Sequence, residues 1–214
     1  MQMRNCMSIF EDWSGNMFEP LLSRIRSKER LIFQYVLEPL NEAYEKAKQN
    51  KKMVYYDENT ITKIIVWHLK YDTSLSYSYR KGIYIELRPK EQYTIDDIYE
   101  PDIKITYGDM RMEIESKRIH GKNKWSTSDY LSKDNGIGRF LWGVYSHNER
   151  YGGMIGYIQK GDFQKIIKKI KAGLKKINCK KCENITKIEN CVLSIHYRDN
   201  KEDIRIYHLF FYFS

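Results

Sequence analysis

No run of about 18 apolar residues, the length a membrane-spanning helix needs, occurs anywhere in the 214-residue chain. The opening MQMRNCMSIFEDW also lacks the uninterrupted apolar segment of a secretory signal. Cysteine is scarce, with four copies at positions 6, 179, 182 and 191. Without a secretion signal these do not read as a disulfide framework, because cytosolic thiols stay reduced. No internal repeat, low-complexity tail or linker divides the chain. Together these absences lead us to expect a soluble, cytoplasmic protein forming one domain over 1–214. Within it we expect a helical extension over 1–50, a core over 54–160, and a basic helix with closing strands over 161–214.

What is present points to a packed core and an anionic partner. Hydrophobic residues make up 42% and aromatics 14%, too much for a disordered chain. The 18 tyrosines suit half-buried strands better than a ligand groove. The formal charge of +9 favours nucleic acid, whose condensed counterions are released when lysines meet phosphates. A membrane surface is the rival anion, but no spanning or signal segment supports it.

The periodicity predicts helices first and strands later. From Leu21 to about Lys48, apolar residues recur at threes and fours, with Pro20 marking a start and Pro39 a kink or break. Asp57-Glu58 opens a second helix carrying Ile61, Ile64, Ile65 and Leu69. Ile83, Ile85 and Leu87 then alternate as in a strand, followed by a second strand over 101–107. Gly108-Asp109 is a hairpin turn, and the return strand runs from Met110 to Ile119. Ser126 to Val144 reads as one helix or two short ones broken at Gly136 and Gly138, and Gly152–Ile158 as a buried strand. Asp162 caps a helix reaching about Ile177, and strands over 191–197 and 204–213 close the chain. The fold class is α/β (α+β), a central mixed sheet flanked by helices.

The chemistry concentrates in the hairpin. Asp102 sits near the start of one strand; Glu115 and Lys117 share a face of the next, since strand side chains repeat with period two. Two converging carboxylates can hold Mg²⁺, a hard cation that prefers oxygen ligands. Alternating Glu and Lys on an exposed strand is equally an ordinary cross-strand charge pattern.

Pro101-Asp102, then twelve residues, then Glu115-Ser116-Lys117, in a strand–turn–strand context, resembles the core signature of the PD-(D/E)xK nuclease superfamily. That resemblance spans residues 54–160 and implies a restriction-endonuclease-like fold. It implies metal-dependent hydrolysis of phosphodiester bonds in DNA, with Mg²⁺ or Mn²⁺ held by Asp102, Glu115 and the Ser116 carbonyl, and Lys117 as catalytic lysine. Many members add an acid from a preceding helix, a place Glu58 occupies here. Glu58 equally fits the positive end of its helix, and Glu86 is a strand acid that could replace it.

Later segments, Gly138-Arg139-Phe140 and Ser194-Ile195-His196-Tyr197-Arg198 followed by His208, are similar to bacterial nuclease-like proteins of restriction and phage-defence settings. The similarity makes Arg139, His196, Arg198 and His208 candidates for phosphate contact. Their bland roles are ion pairing for Arg139 and satisfied strand positions for the histidines. Cys179 and Cys182 have zinc-knuckle spacing, with Cys191 and His196 as further ligands, but the second close pair of a ribbon is missing, so free thiols are favoured. Between Lys160 and Lys181 stand nine lysines and one acid, Asp162. Lys165, Lys168 and Lys169 are therefore phosphate candidates, or simply a solvated face. The expected activity is an endonuclease, active alone, as a homodimer or with a partner protein. The alternative is a catalytically inactive nuclease-fold subunit that binds nucleic acid or a partner.

Overall fold

The computed structural model describes residues 28–76, 82–92, 98–120, 127–198 and 202–213. Cys6, Ser126 and the helix start expected at Pro20, with Leu21, Leu22 and Ile25, lie outside them. Helix α1 (Lys28–Ile32) passes through a π-helical turn (Phe33–Leu37) into α2 (Glu38–Lys48). Pro39 explains the turn: it offers Tyr35 no N–H, and its ring would strike that carbonyl in a regular helix. The backbone widens one turn earlier, with Glu38 N–H reaching Phe33 O, and helicity continues without a break.

A short 3₁₀ turn (Lys51–Val54) precedes α3 (Glu58–Tyr71), whose cap is the Asp57 side chain accepting the Thr60 N–H at 2.7 Å. The buried stripe of α3 is Ile61, Thr62, Ile65, Val66 and Leu69. The strands follow as β1 (Ile83–Leu87), β2 (Glu91–Gln92), β3 (Ile98–Tyr99), β4 (Ile103–Tyr107) and β5 (Met110–His120). Gly108, at φ +56°, makes the two-residue hairpin between β4 and β5. Two short helices, α4 (Thr127–Tyr130) and α5 (Gly138–Leu141), replace the single helix that the sequence also allowed. Then come β6 (Tyr151–Lys160), α6 (Phe163–Leu174, capped by Asp162), β7 (Cys179–Asn184), β8 (Cys191–His196) and β9 (Ile204–Tyr212).

Seven strands form one mixed sheet in the order β1-β4-β5-β6-β9-β8-β7, with β2 and β3 paired separately. The three central strands, β5, β6 and β9, are parallel, and each outer set is antiparallel. The closing strands therefore share a sheet with the hairpin. On one face, α1, α2 and α3 cover Met112, Ile114, Ile155, Tyr157, Leu209 and Phe211. Tyr44 locks α2 there, stacking on Phe211 at 4.5 Å and donating to the Tyr212 carbonyl at 2.9 Å. On the other face, α4, α5 and α6 cover Met154, Ile158, Ile206 and Phe210. Among the described residues no helix is long and apolar enough to cross a membrane.

The strand at 179–184 was not anticipated. It is an edge strand with mostly exposed Lys and Glu side chains, held by main-chain pairing to β8, so it carries no apolar alternation to read. It also separates the expected zinc ligands. Cys182 packs with the α6 side of the sheet, while Cys191 lies in the core on the opposite face. The Cys191 thiol is pushed up to about 12 by burial, and Cys179 Sγ donates to the Lys181 carbonyl.

A polar chain crosses the second core. Tyr130 Oη, His208, Ser194 Oγ and His196 are joined by bonds of 2.7–2.8 Å, and His196 Nδ1 lies 2.7 Å from the Ile177 carbonyl. His208 is fully buried; burial and then the neighbouring His196 hold its pKa well below the ordinary histidine range. The unfolded chain gains that proton as pH falls through about 6.5 while the folded chain does not, so stability falls with pH there. We predict that unfolding free energies from urea titration drop below pH 6.5 by up to about 1.4 kcal/mol per pH unit more than in a His208→Gln chain. Equal slopes in the two chains would refute the assignment.

Candidate active site

The site begins where β4 stops and β5 does not. The last register pair is Ile103 with Ile114, yet β5 runs on to His120. The next N–H groups on that edge, from Ser116 and Arg118, meet side chains in place of a strand. Asp102 Oδ2 accepts Ser116 N–H at 2.8 Å and the Ser116 hydroxyl at 2.6 Å. Glu58 Oε2, from the first turn of α3, accepts Arg118 N–H at 2.7 Å. Beneath them Thr62, Ser116 and Tyr157 pool their hydroxyls, with Thr62 Oγ1 at 3.0 Å from Ser116 Oγ and 3.1 Å from Tyr157 Oη.

Glu115 and Lys117 project from the other face of β5. Lys117 Nζ donates to Glu115 Oε1 at 2.5 Å and lies 3.8 Å from Glu58 Oε1, so it bridges the two acids across the strand. Arg139 of α5 approaches Glu115 at 3.6 Å and donates to the Tyr145 hydroxyl. Arg88 stands 3.4 Å from Asp102 and also bonds Asn59. Three carboxylates, Glu58, Asp102 and Glu115, thus face three cations, Lys117, Arg88 and Arg139.

Burial dominates the electrostatics here. Glu115 is 3% exposed, and burial followed by the Asp102 charge pushes its carboxyl up to about 7 against the pull of Lys117 and Arg139. Burial likewise raises Glu58. For Lys117 burial acts downward, but Glu115 and Glu58 outweigh it and hold the ammonium charged.

The expected residues Asp102, Glu115, Ser116, Lys117, Glu58 and Arg139 are gathered around one strand. Glu86 is not among them: it pairs with Lys104 at 3.3 Å across strands β1 and β4. His196 is fully buried with both ring nitrogens bonded, and Arg198 is 4% exposed, giving its protons to the Ser146, Glu149 and Glu202 carbonyls. His196 and His208 act as internal struts whose full burial leaves no face for a phosphate, which corrects the expectation for these two; Arg198 is tied to three main-chain carbonyls and lines a cavity beside α5. Lys165, Lys168 and Lys169 are exposed on α6. Arg88 and Tyr145 escaped sequence reading. Arg88 follows Leu87, which pairs with Ile103, so register alone brings it beside Asp102; Tyr145 leaves no such signal.

The donor set is chemically suited to a hard divalent cation. Carboxylate oxygens are its preferred ligands, and the repulsion between Asp102 and Glu115 is what a cation would relieve. Among the described residues no group of three His, Cys, Asp or Glu side chains is arranged to hold a metal ion. The fit is therefore to a site of two carboxylates completed by a carbonyl and water, as Mg²⁺ commonly accepts. Compared with family models, curated proteins and solved structures, the chain gives no significant match.

The position of Arg139 depends on a close backbone approach. A Cβ at Gly138 would run into the Lys133 carbonyl, so the loop before α5 closes only over glycine. Gly138→Ala is expected to destabilise the fold by about 1–3 kcal/mol, whereas Arg139→Ala removes side-chain bonds to Asp134 and Tyr145 and a pair with Glu115, which Lys117 still holds, and costs less. Urea midpoints of the two variants decide the order.

Proposed function

We propose that the chain is a metal-dependent nuclease that hydrolyses phosphodiester bonds in DNA on a restriction-endonuclease-like fold. One observation carries this reading: Asp102, Glu115, Lys117 and Glu58 meet at the β5 edge from three elements. Asp102, Glu115 and the Ser116 carbonyl would hold Mg²⁺ or Mn²⁺, whose chemistry when bound is to polarise the phosphodiester and acidify its water. Lys117, charged and tethered between two acids, orients the attacking water and neutralises the phosphate as negative charge builds. Arg139 adds a second positive charge on the same side. Glu58 fixes both Lys117 and the β5 backbone. The charge of +9 supports a polyanionic substrate, and a restriction or phage-defence role extends the same reading.

A second reading is an inactive nuclease-fold subunit that binds DNA or a partner. It is favoured by Glu115 already being engaged by Lys117 and Arg139. Plasmid DNA incubated with Mg²⁺ or Mn²⁺ separates the two. Under the first reading the native chain nicks or linearises the plasmid, and Asp102→Ala and Lys117→Ala each reduce the rate by on the order of a hundred-fold or more. Glu86→Gln serves as the control that leaves cleavage intact. DNA binding without cleavage under every metal condition selects the inactive subunit.

A further inference from the structure

Beside α5 lies a cavity of about 250 Å³ that the carboxylate site does not use. Its floor is Leu141 and Ile177, and two aromatic side chains line it, Trp142 at the end of α5 and Tyr197 just past β8. Large aromatic rings are normally buried for their apolar area; these two remain 63% and 56% exposed. Lys133 and Lys176 line the same opening. A second groove continues it past Tyr197, adding Lys175 and Lys180. Lys180 sits 4.3 Å over the Tyr197 ring, and Asp203, bonded to it at 2.7 Å, is the acid that offsets it.

We propose that this groove holds an unpaired nucleic-acid strand, with bases stacked on Trp142 and Tyr197 and phosphates following the lysines. The inference rests on the reading of the chain as a nucleic-acid enzyme or binder, but not on cleavage. The chemistry fits in three respects. Exposed rings provide sequence-tolerant stacking surfaces, and flanking lysines track a backbone. The cavity of about 250 Å³ opens into the second groove, leaving space beside both aromatic side chains for flat rings. Stacking on an exposed ring needs a free base face, which an unpaired strand offers and a stacked duplex covers. The groove and the carboxylate site share helix α5: three residues after Arg139, which meets Glu115, the chain reaches Trp142.

Binding is measured in EDTA, so that cleavage plays no part, by fluorescence anisotropy of a labelled oligodeoxythymidylate of about 12 nucleotides. Oligouridylate of equal length tells DNA from RNA, and a duplex of equal length is the comparison. Trp142→Ala and Tyr197→Ala are each expected to weaken single-strand binding about ten- to a hundred-fold while changing duplex binding little. Lys176→Glu weakens it further and lowers the salt dependence. Both aromatic substitutions remove exposed rings, and unchanged thermal melting confirms that the variants are folded. Wild-type affinity in both aromatic variants, equal losses for the duplex, or no single-strand binding by the native chain would overturn the groove. Groove-dependent binding by a chain that cleaves nothing upholds this inference and removes the nuclease reading. Cleavage retained with binding indifferent to Trp142 and Tyr197 does the reverse.

Discussion

Two main-chain N–H groups organise the centre of this molecule. Because β4 ends while β5 continues, the amides of Ser116 and Arg118 are met by Asp102 and Glu58. A buried amide without an acceptor costs about 1–3 kcal/mol, so these carboxylates serve the fold whatever else they do. Their charge then dictates what surrounds them. Lys117, Arg88 and Arg139 are drawn in to balance it, and Glu115, the most deeply buried acid of the group, is squeezed between Asp102 and its cations. One early strand end thus accounts for the acids and for the bases that answer them.

The sheet explains why the two halves of the site behave differently. Ser116, Thr62 and Tyr157 lie on the α3 side, where buried hydroxyls bond one another. Glu115, Lys117 and Arg139 lie on the α5 side, where a four-residue helix and two tightly packed glycines set the geometry. The first side holds the acids to the backbone; the second leads outward to Trp142 and the lysines.

What the sequence made legible was local. The hairpin could be read because Gly108-Asp109 separates two alternating runs, and α3 and α6 because Asp57 and Asp162 stand before apolar stripes of helical period. The co-location of Asp102, Glu115 and Lys117 followed from the same hairpin. Non-local facts did not show. Arg88 reaches Asp102 only through the β1–β4 register, and Tyr145 only through the loop after α5. Strand β7 was hidden by its charge, since an edge strand needs no buried face. His196 and His208 drew a phosphate expectation because a polar side chain bonded inside a core looks, in sequence, like one reaching for a ligand.

The buried chain from Tyr130 to Ile177 carries one more consequence. A backbone carbonyl can only accept, so His196 must give its Nδ1 proton to Ile177, leaving Nε2 to accept from Ser194. The Ser194 oxygen is then free to accept from His208 Nε2, and His208 Nδ1 accepts from the Tyr130 hydroxyl. With both imidazoles neutral, every proton in the series points the same way. The four side chains form a single oriented wire of dipoles running through β9 and β8, from the helix before the α5 loop to the turn after α6. No member can be turned around alone, so the two helical ends it joins are tied by one shared direction as well as by contact.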